Sequence, residues 1–280
     1  MKISITLTLL SAIIISSCTR NEKGQKKIEW KKPSHKVHYL KQDGAKWCRQ
    51  HKANSNEIRI VTTVNRTDFK HLASMDSILV PDVLDGDIAY YLPFPLSVSG
   101  IKKIDKIIYF SYATQSFGAY ENGELVYTGA TNMGRKTDPT PTGLYFTNWK
   151  AEESTSTFND EWNLRWNVNI ENKLGIGWHQ YELPGYPASH SCLRLQEADA
   201  RYLFTWADQW VLNKDDIKIK GTPVIVFGSY RFDGTKPWLQ LIEDANTLDI
   251  SAKEIKEMTK PYLDIIIREQ ENKEKKQQKK

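Results

Sequence analysis

The spacing of apolar positions changes several times along the chain. Residues 3–15 (ISITLTLLSAIII) are an apolar run directly behind Met1-Lys2, and the chain is polar from Thr19 to about Lys36. Residues 56–100 carry the β-branched string Ile58-Arg59-Ile60-Val61 and reach Leu79-Val80-Pro81. Leu92-Pro93-Phe94-Pro95 reads as extended linker, because proline disfavours helix in the residue before it. Residues 107–114, 117–120 and 125–128 are predicted strands. Asn122-Gly123 joins the last two as a tight hairpin, a turn that needs positive φ at both positions. Residues 136–143 (KTDPTPTG) form a rigid turn-rich segment. Residues 170–178 read as a strand that allows close backbone approach at its glycines, followed by a loop at 183–188. One helix is predicted at 197–212, with Tyr202, Leu203, Trp206 and Trp210 on one face. A last strand at 222–227, a helix at 251–258 and a charged tail at 268–280 complete a mainly β (α+β) chain.

The apolar run has thirteen residues, and a bilayer-spanning helix needs about 20. It therefore reads as a signal peptide, residues 1–17. Ile15-Ser16-Ser17-Cys18 resembles a bacterial lipobox, which makes Cys18 the lipid-modified first residue of the mature chain. The alternative is ordinary cleavage near Ser17 with an incidental cysteine. Residues 18–55 are expected to be a polar tether. The resulting picture is an exported, periplasm-facing, lipid-anchored protein.

Net charge is +5, which by itself invites a nucleic-acid reading. Its distribution argues against one. Residues 20–32 hold six Lys/Arg against two Glu, and residues 268–280 hold six against three. Residues 33–267 hold 26 Lys/Arg against 29 Asp/Glu, so the body is mildly acidic. No nucleic-acid partner is expected, and the chain is expected to be a monomer. The hydrophobic share of 40% suffices for a packed core and excludes wholesale disorder.

Three cysteines are present, Cys18, Cys48 and Cys192. In an oxidising compartment Cys48 and Cys192 are a possible disulfide. The surroundings of Cys192 offer another use. Were 189–195 extended, His190, Cys192 and Arg194 would share a face. Cationic neighbours lower a thiol pKa, and an imidazole can take its proton. His179, at the end of a separate strand, is within reach through the 180–188 loop. A metal site of His179, His190 and Cys192 is a weaker third reading, since no carboxylate or water ligand is specified.

These residues resemble the L,D-transpeptidase (YkuD/ErfK) catalytic domain. That family carries a His, a loop, Ser/Thr-His-Gly-Cys and then Arg or Asn. This chain has His179, Ser189-His190-Ser191-Cys192 and Arg194. Thr140-Pro141-Thr142-Gly143 is similar to the family's Thr-Pro-x-Gly segment. The resemblance covers about residues 104–230 and implies a β-sandwich-like catalytic domain with one main helix after the nucleophile. It leaves a small N-terminal region at 56–100 and a C-terminal extension at 231–280, helical with a charged tail. Residues 56–100 resemble the second half of a peptidoglycan-binding LysM motif, although a plain packing subdomain fits them as well.

The resemblance implies catalysis by Cys192, His179 and His190, with an oxyanion held by the backbone of Ser191 and Cys192. Arg194, Tyr181, Tyr186 and Trp178 are then expected to bind substrate, the stem peptides of peptidoglycan. No metal or organic cofactor is implied. The activity implied is an L,D-transpeptidase forming 3→3 cross-links or using another amine acceptor. An L,D-carboxypeptidase or endopeptidase with the same site, and a non-catalytic wall-binding lipoprotein, are the alternatives. Two departures stand out. Ser191 replaces the family glycine, and the loop from His179 to Ser189 is short. A Cys48–Cys192 bond would block the nucleophile, which leaves Cys48 without an assigned role.

Overall fold

The computed structural model describes residues 28–51, 55–155, 163–214 and 216–278. The signal peptide, Cys18 and the first part of the tether lie outside the described residues. The elements run in order β1 (Tyr39–Gln42), α1 (Gly44–Gln50), α2 (Ser55–Val64), α3 (Phe69–Ala73) and β2 (Ile78–Pro81). Next come β3 (Lys106–Ser111), β4 (Ser116–Glu121), β5 (Glu124–Asn132), β6 (Gly143–Phe146), β7 (Lys150–Thr155), β8 (Asn163–Glu171), β9 (Ile176–Gln180) and β10 (Leu193–Leu195). The chain closes with α4 (Glu197–Trp206), β11 (Val211–Asn213), β12 (Asp216–Ile219), β13 (Pro223–Phe227), α5 (Ala252–Thr259) and α6 (Leu263–Gln277).

Nine strands form one sheet in the order β6-β13-β3-β4-β5-β10-β9-β8-β7. Neighbours are antiparallel except β13–β3 and β10–β9. The sheet curls, so its two halves share one core. Phe110 and Phe117 from β3 and β4 pack with Val168, Trp178 and Leu193 from β8, β9 and β10, and Leu203 of α4 covers them. The hairpin forms as expected, with φ of 48° at Asn122 and 81° at Gly123. Gly177 lies against β8 so closely that a Cβ would sit 2.4 Å from the Val168 carbonyl oxygen.

Several elements depart from expectation, each for a tertiary reason. The stretch 18–55 is not all tether. β1 pairs with β2, and α1 buries Trp47 and Cys48. The N-terminal unit is therefore closed by strands at 39 and 81, and its β-branched string lies in helix α2, where Ile60 and Val61 are fully buried. Packing overrides β propensity there. The predicted 170–178 strand is split: residues 172–175 turn between the end of β8 and the start of β9, with Gly175 at φ 66°. Helix α4 stops at Trp206 because Ala207 turns extended and Asp208 N–H donates to Thr222 Oγ1. The tail beyond Arg268 is helical through Gln277 and docked. Gln270 Oε1 accepts from Asp105 N at 2.9 Å, and Lys273 Nζ meets Asp208 at 2.6 Å.

Candidate active site

Parallel pairing of β9 with β10 sets Arg194 opposite His179 and Leu193 opposite Trp178. Neighbours in register share a face. His179 and Arg194 thus look away from the core that Trp178 and Leu193 fill. Trp178 is fully buried against Phe110, with ring centroids 6.2 Å apart, so it is a core residue rather than a substrate contact. Alternation along β9 forbids Trp178 and His179 from sharing one groove.

Cys192 ends a turn that precedes β10. The strand begins only at Leu193, and Ser191 has φ 73°, so alternation does not carry back to His190. Hydrogen bonds hold the strained Ser191 backbone. Ser189 Oγ donates to the Cys192 carbonyl at 2.5 Å. Thr140 Oγ1 donates to the Ser191 carbonyl and accepts from Gly134 N, both at 2.9 Å. Ser191 Oγ donates toward the Asp138 and Pro139 carbonyls at 3.2 Å. The KTDPTPTG turn thus supports the turn that carries Cys192. His190 faces that turn: its Nδ1 lies 3.1 Å from Arg135 Nη2 and 3.8 Å from Asp138 Oδ2. Arg135 and Asp138 were missed from the sequence. Their proximity to His190 depends on the fold bringing 135 and 190 together.

Burial decides the electrostatics of Cys192 and His179. The partly buried Cys192 thiol is pushed up by desolvation, against the opposing pull of the Gly177 backbone and the Arg194 charge. The sequence suggested a lowered thiol, but desolvation outweighs the cation. Burial also lowers His179 to about 4, so it is uncharged at neutral pH. Its Nδ1 lies 3.0 Å from the Gln180 carbonyl, which only accepts. The ring proton is therefore on Nδ1 and Nε2 carries the lone pair. Tyr181 packs edge-on to His179, with Arg194 4.4 Å over its ring. Among the described residues Arg194 is in no ion pair. Cys48 is buried and unbonded, so no disulfide blocks Cys192. Among the described residues no three His, Cys, Asp or Glu side chains gather as metal ligands.

Residues 105–226 match the family model of YkuD, the L,D-transpeptidase catalytic domain. This segment is a YkuD domain. Solved structures similar to the chain include an L,D-transpeptidase from Stackebrandtia nassauensis, at 22% identity and TM-score 0.37, covering 45% of this chain and 57% of that one. An L,D-transpeptidase from Mycobacterium smegmatis aligns at 17% identity and TM-score 0.36, over 45% of this chain and 59% of that one. One from Enterococcus faecium aligns at 24% identity and TM-score 0.35, over 44% and 50%. The chain thus spans less than two thirds of the length of these structures. No curated protein matches it.

The N-terminal unit contributes to the wall of the YkuD domain. Asp68 N donates to the Leu183 carbonyl at 3.0 Å, and Leu183 N donates to the Asp68 carboxylate at 2.8 Å. Thr67 Oγ1 adds a bond to the same carbonyl. Asp68 also caps α3, accepting from His71 N. From the other side, Asn132 Nδ2 donates to the Tyr186 carbonyl and Asn132 Oδ1 accepts from Ala188 N. The short loop after His179 is therefore clamped between the N-terminal unit and β5. The Tyr186 ring is half exposed, with Lys236 Nζ 5.8 Å from its centroid. A second link is buried: Tyr127 OH donates to Asp199 at 2.8 Å, and Arg59 of α2 reaches the same carboxylate at 3.3 Å.

Proposed function

We propose that the protein is a cysteine L,D-transpeptidase acting on peptidoglycan stem peptides. The observation that carries this reading is that Cys192, in the segment matching the YkuD model, leads into β10, the strand paired with β9, which carries His179, a histidine held neutral with its ring proton on Nδ1. Cys192 attacks the carbonyl on the L-centre of diaminopimelate at stem position three, and His179 Nε2 takes the thiol proton. The backbone N–H groups of Ser191 and Cys192 hold the oxyanion. The C–N bond to the terminal D-residue breaks, and His179 returns the proton to the leaving amine. A thioester remains. An acceptor amine from a neighbouring stem attacks it, loses its proton to His179 and regenerates the thiol, leaving a 3→3 cross-link.

Arg194 is assigned to a substrate carboxylate, with Tyr181 as the ring that orients it. Its lack of an ion-pair partner among the described residues supports this role. His190 is assigned to shaping the site. The same reading includes export and anchoring through a lipid on Cys18, with the N-terminal unit as a wall contact.

The test is direct. The mature protein incubated with a carbapenem should gain the mass of one adduct, and Cys192→Ala should gain none. An equal adduct on Cys192→Ala would remove Cys192 from its role. Purified tetrapeptide muropeptide then separates the reactions. Cross-linked dimers mark transfer, tripeptide alone marks the L,D-carboxypeptidase, and unchanged substrate marks a binding protein.

A further inference from the structure

The two histidines around Cys192 have partners of opposite kind. His179 Nδ1 faces a carbonyl oxygen at 3.0 Å, which accepts and cannot donate. His190 Nδ1 faces the Arg135 guanidinium at 3.1 Å, which donates and cannot accept. We infer that Arg135 is a positioning residue that holds His190 as its Nε2–H tautomer, the reverse of the Nδ1–H tautomer of His179. One histidine then offers the reaction a lone pair and the other a proton, from the same ring atom. The assigned roles rest on the transpeptidase reading, whereas the tautomers themselves rest only on the two partners.

The Asp138 carboxylate also approaches His190 Nδ1. Asp138 Oδ2 would require a proton there, but it lies 3.8 Å away, beyond the range of about 2.7–3.2 Å for such bonds. That oxygen is already engaged by Arg135 Nε at 2.5 Å and by Thr137 Oγ1 at 2.8 Å. The Arg135 side chain is thus pinned through its Nε, with its Nη2 left for His190. The backbone fixes it from below. Arg135 N donates to the Ser189 carbonyl at 2.9 Å, one residue from His190, and Asp138 N donates to the Arg135 carbonyl at 3.1 Å. The guanidinium is therefore fastened to the turn that carries Cys192 and cannot swing away without breaking bonds to both segments. A donor-only partner is what the site requires if His190 is never to compete with His179 as the base.

The experiment is a long-range proton–nitrogen correlation spectrum of full-length protein labelled at histidine, at a pH where imidazoles are neutral. His190 is assigned by the loss of its signals in His190→Gln. Wild type should show His179 protonated on Nδ1 and His190 on Nε2. Arg135→Lys, still donor-only, should keep the His190 pattern. Arg135→Gln, which can donate or accept, should mix the two forms and lower kcat about tenfold with little change in KM, less than the about 10²–10³ lost with an oxyanion donor itself. An unchanged His179 signal certifies that each variant is folded. Nδ1 protonation of His190 in wild type overturns the inference, as does an unmixed Nε2–H form in Arg135→Gln. Should Arg135→Gln not fold, the wild-type and Arg135→Lys spectra still decide. Failure of the carbapenem adduct on Cys192 would sink the transpeptidase reading and leave these spectra intact, so the two failures are distinguishable.

Discussion

His179 makes the sharpest prediction, because its burial fixes both a rate profile and a stability profile. Desolvation moves it from 6.5 to about 4. At about 1.36 kcal/mol per pH unit, the fold favours the neutral ring by about 3 kcal/mol. As the base of the proposed reaction, His179 is then lost only near pH 4, so carbapenem acylation of Cys192 should persist well below pH 6.5. An ordinary histidine would have lost about nine tenths of its neutral form one unit below 6.5. The stability sign follows from proton counting. Between pH 6.5 and 4 the unfolded chain binds a proton that folded His179 refuses, so stability falls as pH falls through that window. The expected loss from pH 7 to about pH 4.5 is roughly 2.5 kcal/mol. Urea unfolding of wild type and His179→Asn at the two pH values measures it, since the variant lacks the titrating ring. Parallel stabilities, within about 0.5 kcal/mol, or an acid limb of acylation near pH 6.5, would refute the reasoning.

Other sites give further tests. Asp199 is pushed up to about 6 by burial, outweighing Arg59 and Tyr127. Its folded form takes a proton before the unfolded chain does, so wild type should gain about 2 kcal/mol over Asp199→Asn from pH 7 to about pH 4.5 in the same urea assay. This is opposite in sign to His179, and the two nearly cancel in the wild-type curve. Thr140→Val keeps the shape but orphans Gly134 N–H and the Ser191 carbonyl. A loss of about 2–4 kcal/mol by denaturant titration, with slower acylation, is expected. Asp68→Ala removes a cap and the bond from Leu183 N, costing about 2 kcal/mol and raising KM for tetrapeptide through the loosened loop. An unchanged KM would mean that the clamp does not shape the groove.

Much of the catalytic half is legible in the sequence because its signals are local. Asn122-Gly123 specifies a turn by its own φ angles, and it forms that turn. The order of strands and the start of α4 after Gln196 need only neighbouring residues to be read. Trp178 was misplaced although the information was present, since strand alternation opposes it to His179. The N-terminal unit was harder. Ile58–Val61 has β-branched side chains, yet burial against β2 and Trp47 makes it helical. Polar composition concealed β1, whose partner lies about forty residues further on.

By itself the sequence determined the chemistry available: one thiol, two nearby histidines, a guanidinium, and the strands that carry them. Only the tertiary structure decided the state of those groups. Burial set the thiol high and His179 low, where neighbouring charge had suggested a lowered thiol. A carbonyl and a guanidinium, 180 and 135 in the chain, face the two Nδ1 atoms. Asp68 holds a loop 115 residues away. Desolvation and hydrogen-bond direction belong to surroundings that the folded chain assembles from distant segments, which is why residue order could not supply them.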